Sequence, residues 1–137
     1  MGDLEICLDS DILIDLLRGN TEITGIIREL EEGFELATTS INIFELYYGA
    51  YKTKRVKNID AVDELANSIE IYKLTEKSAK LSGKIVAELK SEGNAIDFRD
   101  ALIAGIVVEN DAILFTRNVR HFQRVQGLKL FENIKRF

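Results

Sequence analysis

Four carboxylates in three separate segments carry the chemical interest of this sequence. Asp9 lies in CLDSD, Glu45 in INIFELYYGA, and Asp97 and Asp100 in DFRDALIAG. Asp97 and Asp100 are three residues apart, so on a helix they share a face. Ser10, the run Thr38–Ser40, Thr116 and Asn118 are the polar residues that would stand beside them. Like charges held within a few ångströms repel and raise one another's pKa, and a divalent cation removes that cost. The chain has one Cys and one His. Oxygen ligands without a Cys or His cluster suit Mg2+ or Mn2+ rather than zinc. A metal among carboxylates, with no evident nucleophilic side chain, is equipped for phosphodiester hydrolysis: it polarises the phosphate and lowers the pKa of an attacking water. Each acid also has a plainer role. Asp9 or Ser10 can cap the first helix, and Asp97 and Asp100 can cap theirs and complement its dipole. Glu45 lies past the first turn and can be an ordinary exposed helical Glu. Their convergence favours a site.

That convergence depends on the elements that carry them. Short apolar runs alternate with helical patterns. Strands are expected at Leu4–Leu8, Glu35–Thr38, Ile69–Lys73, Ala112–Thr116 and Leu128–Phe131. Helices are expected from the first strand through Leu17, stopped by Gly19, and over Glu22–Glu32, ended by Gly33. Another runs from a Ser40 cap to about Arg55, followed by Asp60–Asn67. Thr75 caps one running to about Ser91, and the last spans Asp97–Asn110. Alternating strands and helices predict an α/β fold with a central parallel sheet covered on both faces. Strand C-terminal ends and helix N-terminal ends then share one edge, where open α/β sheets bind ligands. Asp9, Thr38–Ser40, Glu45, Asp97, Asp100, Thr116 and Asn118 all fall at that edge.

Composition narrows the class. The chain has 137 residues, 46% hydrophobic and 30% charged, which suits one packed domain; no linker or repeat divides 1–137. The net charge of −5 excludes a generally basic nucleic-acid coat protein. The longest apolar run, Ala101–Val108, is far short of the ~20 residues that span a bilayer, so no membrane partner is expected. The lone Cys7 cannot form an internal disulfide. Asp3 and Glu5 stand where a signal peptide needs positive charge, so a cytoplasmic location is expected.

The motifs resemble a known family. CLDSDILIDLLRG is similar to the opening of PIN-domain ribonucleases, especially VapC-type toxins of toxin–antitoxin pairs. TTSINIFELYYGA resembles their second motif, and DFRDALIAG with ILFTRNVRHFQRVQGLKLF their third and closing blocks. The resemblance implies a three-layer α/β/α fold, Mg2+- or Mn2+-dependent endoribonuclease activity, homodimerisation, and inhibition by a cognate VapB-like antitoxin. Asp9, Glu45 and Asp100 match its three acids, Ser10 a Ser/Thr after the first, and Thr116 a Thr/Ser beside the site. Asn118 stands where many members carry a fourth acid, which bears on how tightly a second metal is held. Asp11 stands where Asn is common and returns negative charge. Asp97, one turn from Asp100, is a further candidate ligand.

Two acid-free stretches offer an RNA surface. Leu46–Ile59 holds Lys52, Lys54, Arg55 and Lys57 with Tyr47, Tyr48 and Tyr51; Ala112–Phe131, apart from a stretch of apolar residues, holds Arg117, Arg120, Arg124 and Lys129. Cations there can hold phosphates while tyrosines stack on unpaired bases. The same residues can also form a solvated helix face and an interface, and the apolar excess of Ile41–Tyr51 suggests a homodimer or an antitoxin groove. Two other functions fit parts of the pattern. Asp9-x-Asp11 after an apolar strand resembles the opening of haloacid-dehalogenase-type phosphatases, where the first Asp attacks phosphorus. A PIN-like module that binds RNA or a partner without cutting is the non-enzymatic alternative. His121 and Cys7 are expected to be structural.

Overall fold

The computed structural model describes residues 4–132. Residues 1–3, which include Asp3, and the last five positions of the expected 1–137 domain lie outside the described residues. The chain runs β1 (Glu5–Leu8), α1 (Ser10–Leu17), α2 (Thr21–Glu31), β2 (Glu35–Thr39), α3 (Ser40–Thr53), α4 (Val56–Ser68) and β3 (Glu70–Tyr72). It continues through α5 (Glu76–Ser91), α6 (Phe98–Glu109), β4 (Ile113–Phe115), α7 (Val119–Phe122) and β5 (Lys129–Leu130). The five strands form one parallel sheet in the order β3-β2-β1-β4-β5.

The strands are apolar on both sides because both faces are covered. Ile6 and Leu8 of β1, with Phe115 of β4, pack against α1, α2, α3 and α4 through Ile12, Leu13, Ile23, Leu46 and Val62. Cys7 and Leu114 point the other way, into a core with Leu89 of α5, Ile103 and Val107 of α6 and Phe122 of α7. The period-two alternation of β1 thus divides two hydrophobic cores, giving the three layers. Burial pushes the Cys7 thiol pKa up, with the Asp9 and Glu5 charges adding to the effect.

Helix α6, which carries Asp100, is buried along most of its length. Gly105 lets α5 approach it closely: a Cβ there would lie 2.1 Å from Ser82 Oγ and 2.7 Å from the Ser78 carbonyl oxygen. Other local differences from the sequence reading have physical causes. Thr39, not Ser40, caps α3, its hydroxyl accepting from the Asn42 amide at 3.1 Å, while Ser40 Oγ accepts from the Leu74 amide. Helix α3 stops at Thr53 because Lys54 turns left-handed with φ 58°, and Arg55 then opens α4 four residues earlier than expected. The Thr75 cap is a full capping box with Ser78. The short α7 was hidden inside NVRHF.

Candidate active site

The first acid is placed by the centre of the sheet. Asp9 follows β1 directly; its amide donates to the Phe115 carbonyl at 3.0 Å, extending the ladder to β4. Its carboxylate is fully buried, at 0% exposure. Oδ1 accepts from the Ser10 amide, from Asn42 Nδ2 and from Arg99 Nη2, each at 2.8 Å, and Oδ2 accepts from Thr116 Oγ1 at 2.7 Å. Asp9 is therefore both the cap of α1 and a member of a polar cluster.

Glu45 reaches the same cluster from the second turn of α3. Ser10 Oγ donates to Glu45 Oε1 at 2.6 Å, and Arg99 grips both carboxylate oxygens at 2.8 Å through Nε and Nη2. Burial alone would raise the Glu45 pKa; the hydrogen bonds from Arg99 and Ser10 outweigh it and hold the carboxyl below its ordinary value. Asp100, buried in the first turn of α6, accepts from Arg99 Nη1 at 2.7 Å, and its other oxygen lies 3.6 Å from His121 Nδ1. The helix N-terminus supplies Asp100 with a favourable dipole.

Three carboxylates from β1, α3 and α6 thus meet around one guanidinium. Burial would lower the pKa of Arg99, but its bonds to Glu45 and Asp100 and the charge of Asp9 raise it further above its ordinary value. Asp11 stands just outside, accepting from the Arg117 amide at 2.9 Å; burial and the charge of Asp9 push its pKa up to about 6.

The remaining expected residues divide. Thr116 touches Asp9, and its hydroxyl also accepts from the Asn118 amide at 3.0 Å. Asn118 itself is exposed, and it comes to the cluster through its backbone. Thr38 donates to the Leu8 carbonyl and serves the sheet. Asp97 occupies the cap position of α6 without a side-chain cap bond and is exposed. With Asp100, Arg120, His121 and Arg124 it lines a cleft of about 400 Å³.

Of the basic residues, Arg120 lines that cleft and Arg117 pairs with Asp15. Arg124 ties α7 to the carbonyls of Asn94 and Ala95 at the start of the α6 segment. Lys129 pairs with Asp111 before β4, at the opposite edge of the sheet from the acids. Lys52, Lys54 and Arg55 are exposed. Lys54 lies nine residues beyond Glu45, about 13 Å further along the α3 axis. Tyr48 and Tyr51 are 60% exposed, whereas the Tyr47 hydroxyl is engaged by Asp63.

Two members of the cluster escaped the sequence reading. Asn42 is fully buried; its Nδ2 donates to Asp9 and to Ser10 Oγ, and its Oδ1 accepts from Thr39 Oγ1 at 2.7 Å. The Thr39-x-x-Asn42 spacing at a helix start is its only sequence trace. Arg99 left a stronger one. A cation in the first turn of a helix opposes the dipole, and here it stands beside Asp100 and two residues after Asp97, so an anionic partner beyond the helix dipole was called for.

Comparisons with known proteins supply a family. A family model described as PIN domain matches residues 6–128. The chain belongs to the PIN-domain family. Within it, Ribonuclease VapC19 of Mycobacterium tuberculosis is 32% identical over 123 residues, covering 89% of this chain and 95% of its own. A tRNA(fMet)-specific endonuclease VapC of Shigella flexneri is 28% identical over 127 residues, covering 92% and 96%. A chain in the crystal structure of VapBC2 from Rickettsia felis bound to a DNA fragment from their promoter superposes with a TM-score of 0.86 at 26% identity, over 93% of this chain and 98% of that one. This PIN domain has a five-stranded sheet that is parallel throughout. Among its described residues no helix is long and apolar enough to cross a membrane.

Proposed function

We propose that this chain is a metal-dependent endoribonuclease of the VapC kind, the toxin of a toxin–antitoxin pair, acting in the cytoplasm as one PIN domain over 1–137. The observation that carries the reading is the meeting of Asp9, Glu45 and Asp100, from three segments, at the ligand-binding edge of the sheet. Three carboxylates against one guanidinium leave a formal charge of −2, so the donor set suits a divalent hard cation, Mg2+ or Mn2+. Asp9, Asp100 and Glu45 would hold it, with Asp97 at the rim. When bound, the ion supplies a Lewis acid that polarises the scissile phosphate and acidifies the attacking water.

The chain's own residues do the rest. Thr116, Asn42 and the Ser10 amide fix the Asp9 carboxylate, and Ser10 Oγ fixes Glu45, so the acids are oriented before substrate arrives. Arg120 and Arg117, with Lys52 near the end of α3 and Lys54 and Arg55 in the turn that follows it, hold RNA phosphates outside the acids. The phosphatase alternative asks Asp9 to attack phosphorus, but that carboxylate is fully buried with both oxygens engaged.

A VapB-like antitoxin and a second copy of the chain are the protein partners. An apolar groove between α1, α3 and α4, lined by Ile14, Leu17, Leu46, Ala50 and Val62, reaches Glu45 at one end and suits an inhibitory segment. Phe44, Tyr48 and Tyr51 remain exposed on α3 and suit contact between copies.

The test is Asp100→Asn, assayed for cleavage of a labelled RNA pool in Mg2+ or Mn2+. The variant keeps its far-ultraviolet spectrum and loses cleavage by at least about a hundredfold, in line with the several kcal/mol a Lewis acid contributes. Cleavage at the parent rate would remove Asp100 from the site.

A further inference from the structure

A guanidinium at the centre of the acid cluster is not something metal binding by itself calls for. Arg99 sits at the positive end of the α6 dipole, and its side chain is only 29% exposed, so neither the helix nor solvent favours it there. Four charge-assisted hydrogen bonds of 2.7–2.8 Å hold it, through Nε, Nη1 and Nη2. They take both oxygens of Glu45, Oδ1 of Asp9 and Oδ1 of Asp100. Of the oxygens left, Asp9 Oδ2 accepts from Thr116 and Asp100 Oδ2 faces His121. Among the described residues, no three acids, histidines or cysteines stand ready to hold one ion. A cation held by Glu45 together with Asp9 and Asp100 would compete with the guanidinium at least for Glu45, both of whose oxygens Arg99 takes.

We infer that Arg99 is the resident counter-ion of the metal-free site and competes with the divalent cation for Asp9, Glu45 and Asp100. This deepens the metal-nuclease reading and rests on it. Without metal, Arg99 keeps the acids together and offsets their repulsion. With metal, it must release at least one of them. The site therefore binds metal less tightly than its three carboxylates alone would, and the free protein stays folded at low metal concentration.

A merely structural arginine predicts the opposite sign, because its loss would scatter the ligands and weaken metal binding. The experiment is calorimetric titration of the full chain with MnCl2, without RNA, for the parent, Arg99→Gln and Arg99→Lys. The Mn2+ dissociation constant tightens at least tenfold in Arg99→Gln. It tightens by a smaller factor in Arg99→Lys, whose compact ammonium cannot span three carboxylates. In thermal melts, metal-free Arg99→Gln unfolds at a lower temperature than the parent, and Mn2+ raises its midpoint further. Should Arg99→Gln fail to fold, the sign of the change in Arg99→Lys decides. An unchanged or weaker dissociation constant in the folded variants overturns the competition while leaving the metal site standing. Absence of Mn2+ binding in all three proteins overturns both.

Discussion

Replacing Asn42 by Leu tests how far the cluster depends on a residue that is neither acid nor cation. The two side chains have the same number of heavy atoms and the same branching, with Leu the bulkier, so the change removes hydrogen bonds without opening a cavity. Three bonds are lost: Nδ2 to Asp9 Oδ1 at 2.8 Å, Nδ2 to Ser10 Oγ at 2.9 Å, and Thr39 Oγ1 to Asn42 Oδ1 at 2.7 Å. The bond from the Asn42 backbone amide to Thr39 Oγ1 survives, so the α3 cap is retained. A hydrogen bond to a charged acceptor contributes about 1.5–3 kcal/mol, and a buried hydroxyl left without its partner costs about 1–3 kcal/mol. The three bonds share the Asn42 side chain and do not add fully. The variant should lose about 2–4 kcal/mol, a large share of the roughly 5–15 kcal/mol that stabilises a domain. With a urea m-value of about 1–3 kcal/mol per molar, the midpoint falls by roughly 0.7–4 M at unchanged slope. Urea unfolding followed by circular dichroism measures it. A loss below about 0.5 kcal/mol would mean that water or neighbouring donors replace Asn42, and the view of Asp9 as held by a closed network would be wrong.

Two further outcomes follow from the same structure. Gly105→Ala should destabilise the protein by about 1–3 kcal/mol in denaturant unfolding, because the new methyl meets the Ser78 carbonyl, which is backbone and cannot turn aside; a neutral result would mean that α5 and α6 separate at little cost. Replacing Lys54 and Arg55 together by Ala should flatten the dependence of log RNA affinity on log salt by about one unit, since each phosphate contact on a single strand contributes about −0.7. An unchanged slope would place the RNA instead along the cleft that Arg120 lines.

The fold was legible because each strand carried the signature of its environment. LEICL and AILFT are short apolar runs, as strands covered on both faces must be, and they became the central pair β1 and β4. Helix ends were legible wherever side-chain chemistry marked them, as with the Thr75 capping box and Gly19, which follows α1 at φ 77°. They were not legible where tertiary contacts decide. Nothing local announces that Lys54 will turn left-handed, and Ser40 and Thr39 are equally good caps until Leu74 claims the Ser40 hydroxyl.

The acids of the site could be read because topology alone brings their segments to one edge. What separates a pile of carboxylates from a stable folded site could not, since it depends on which side chains lie between them. Asp9 is fully buried, and a buried charge without partners would cost several kcal/mol. The sequence reading assigned that compensation to a metal. The structure shows that Arg99 provides a share of it from within the chain, in the first turn of α6, where a cation is electrostatically out of place. A residue that violates a local preference next to acids is thus a pointer to a non-local partner, and DFRD carried that pointer in plain sight. If the cation is built in, metal occupancy becomes an exchange between two positive groups rather than the filling of a bare anionic hole, and the strength of Arg99's hold sets the metal concentration at which the site can work.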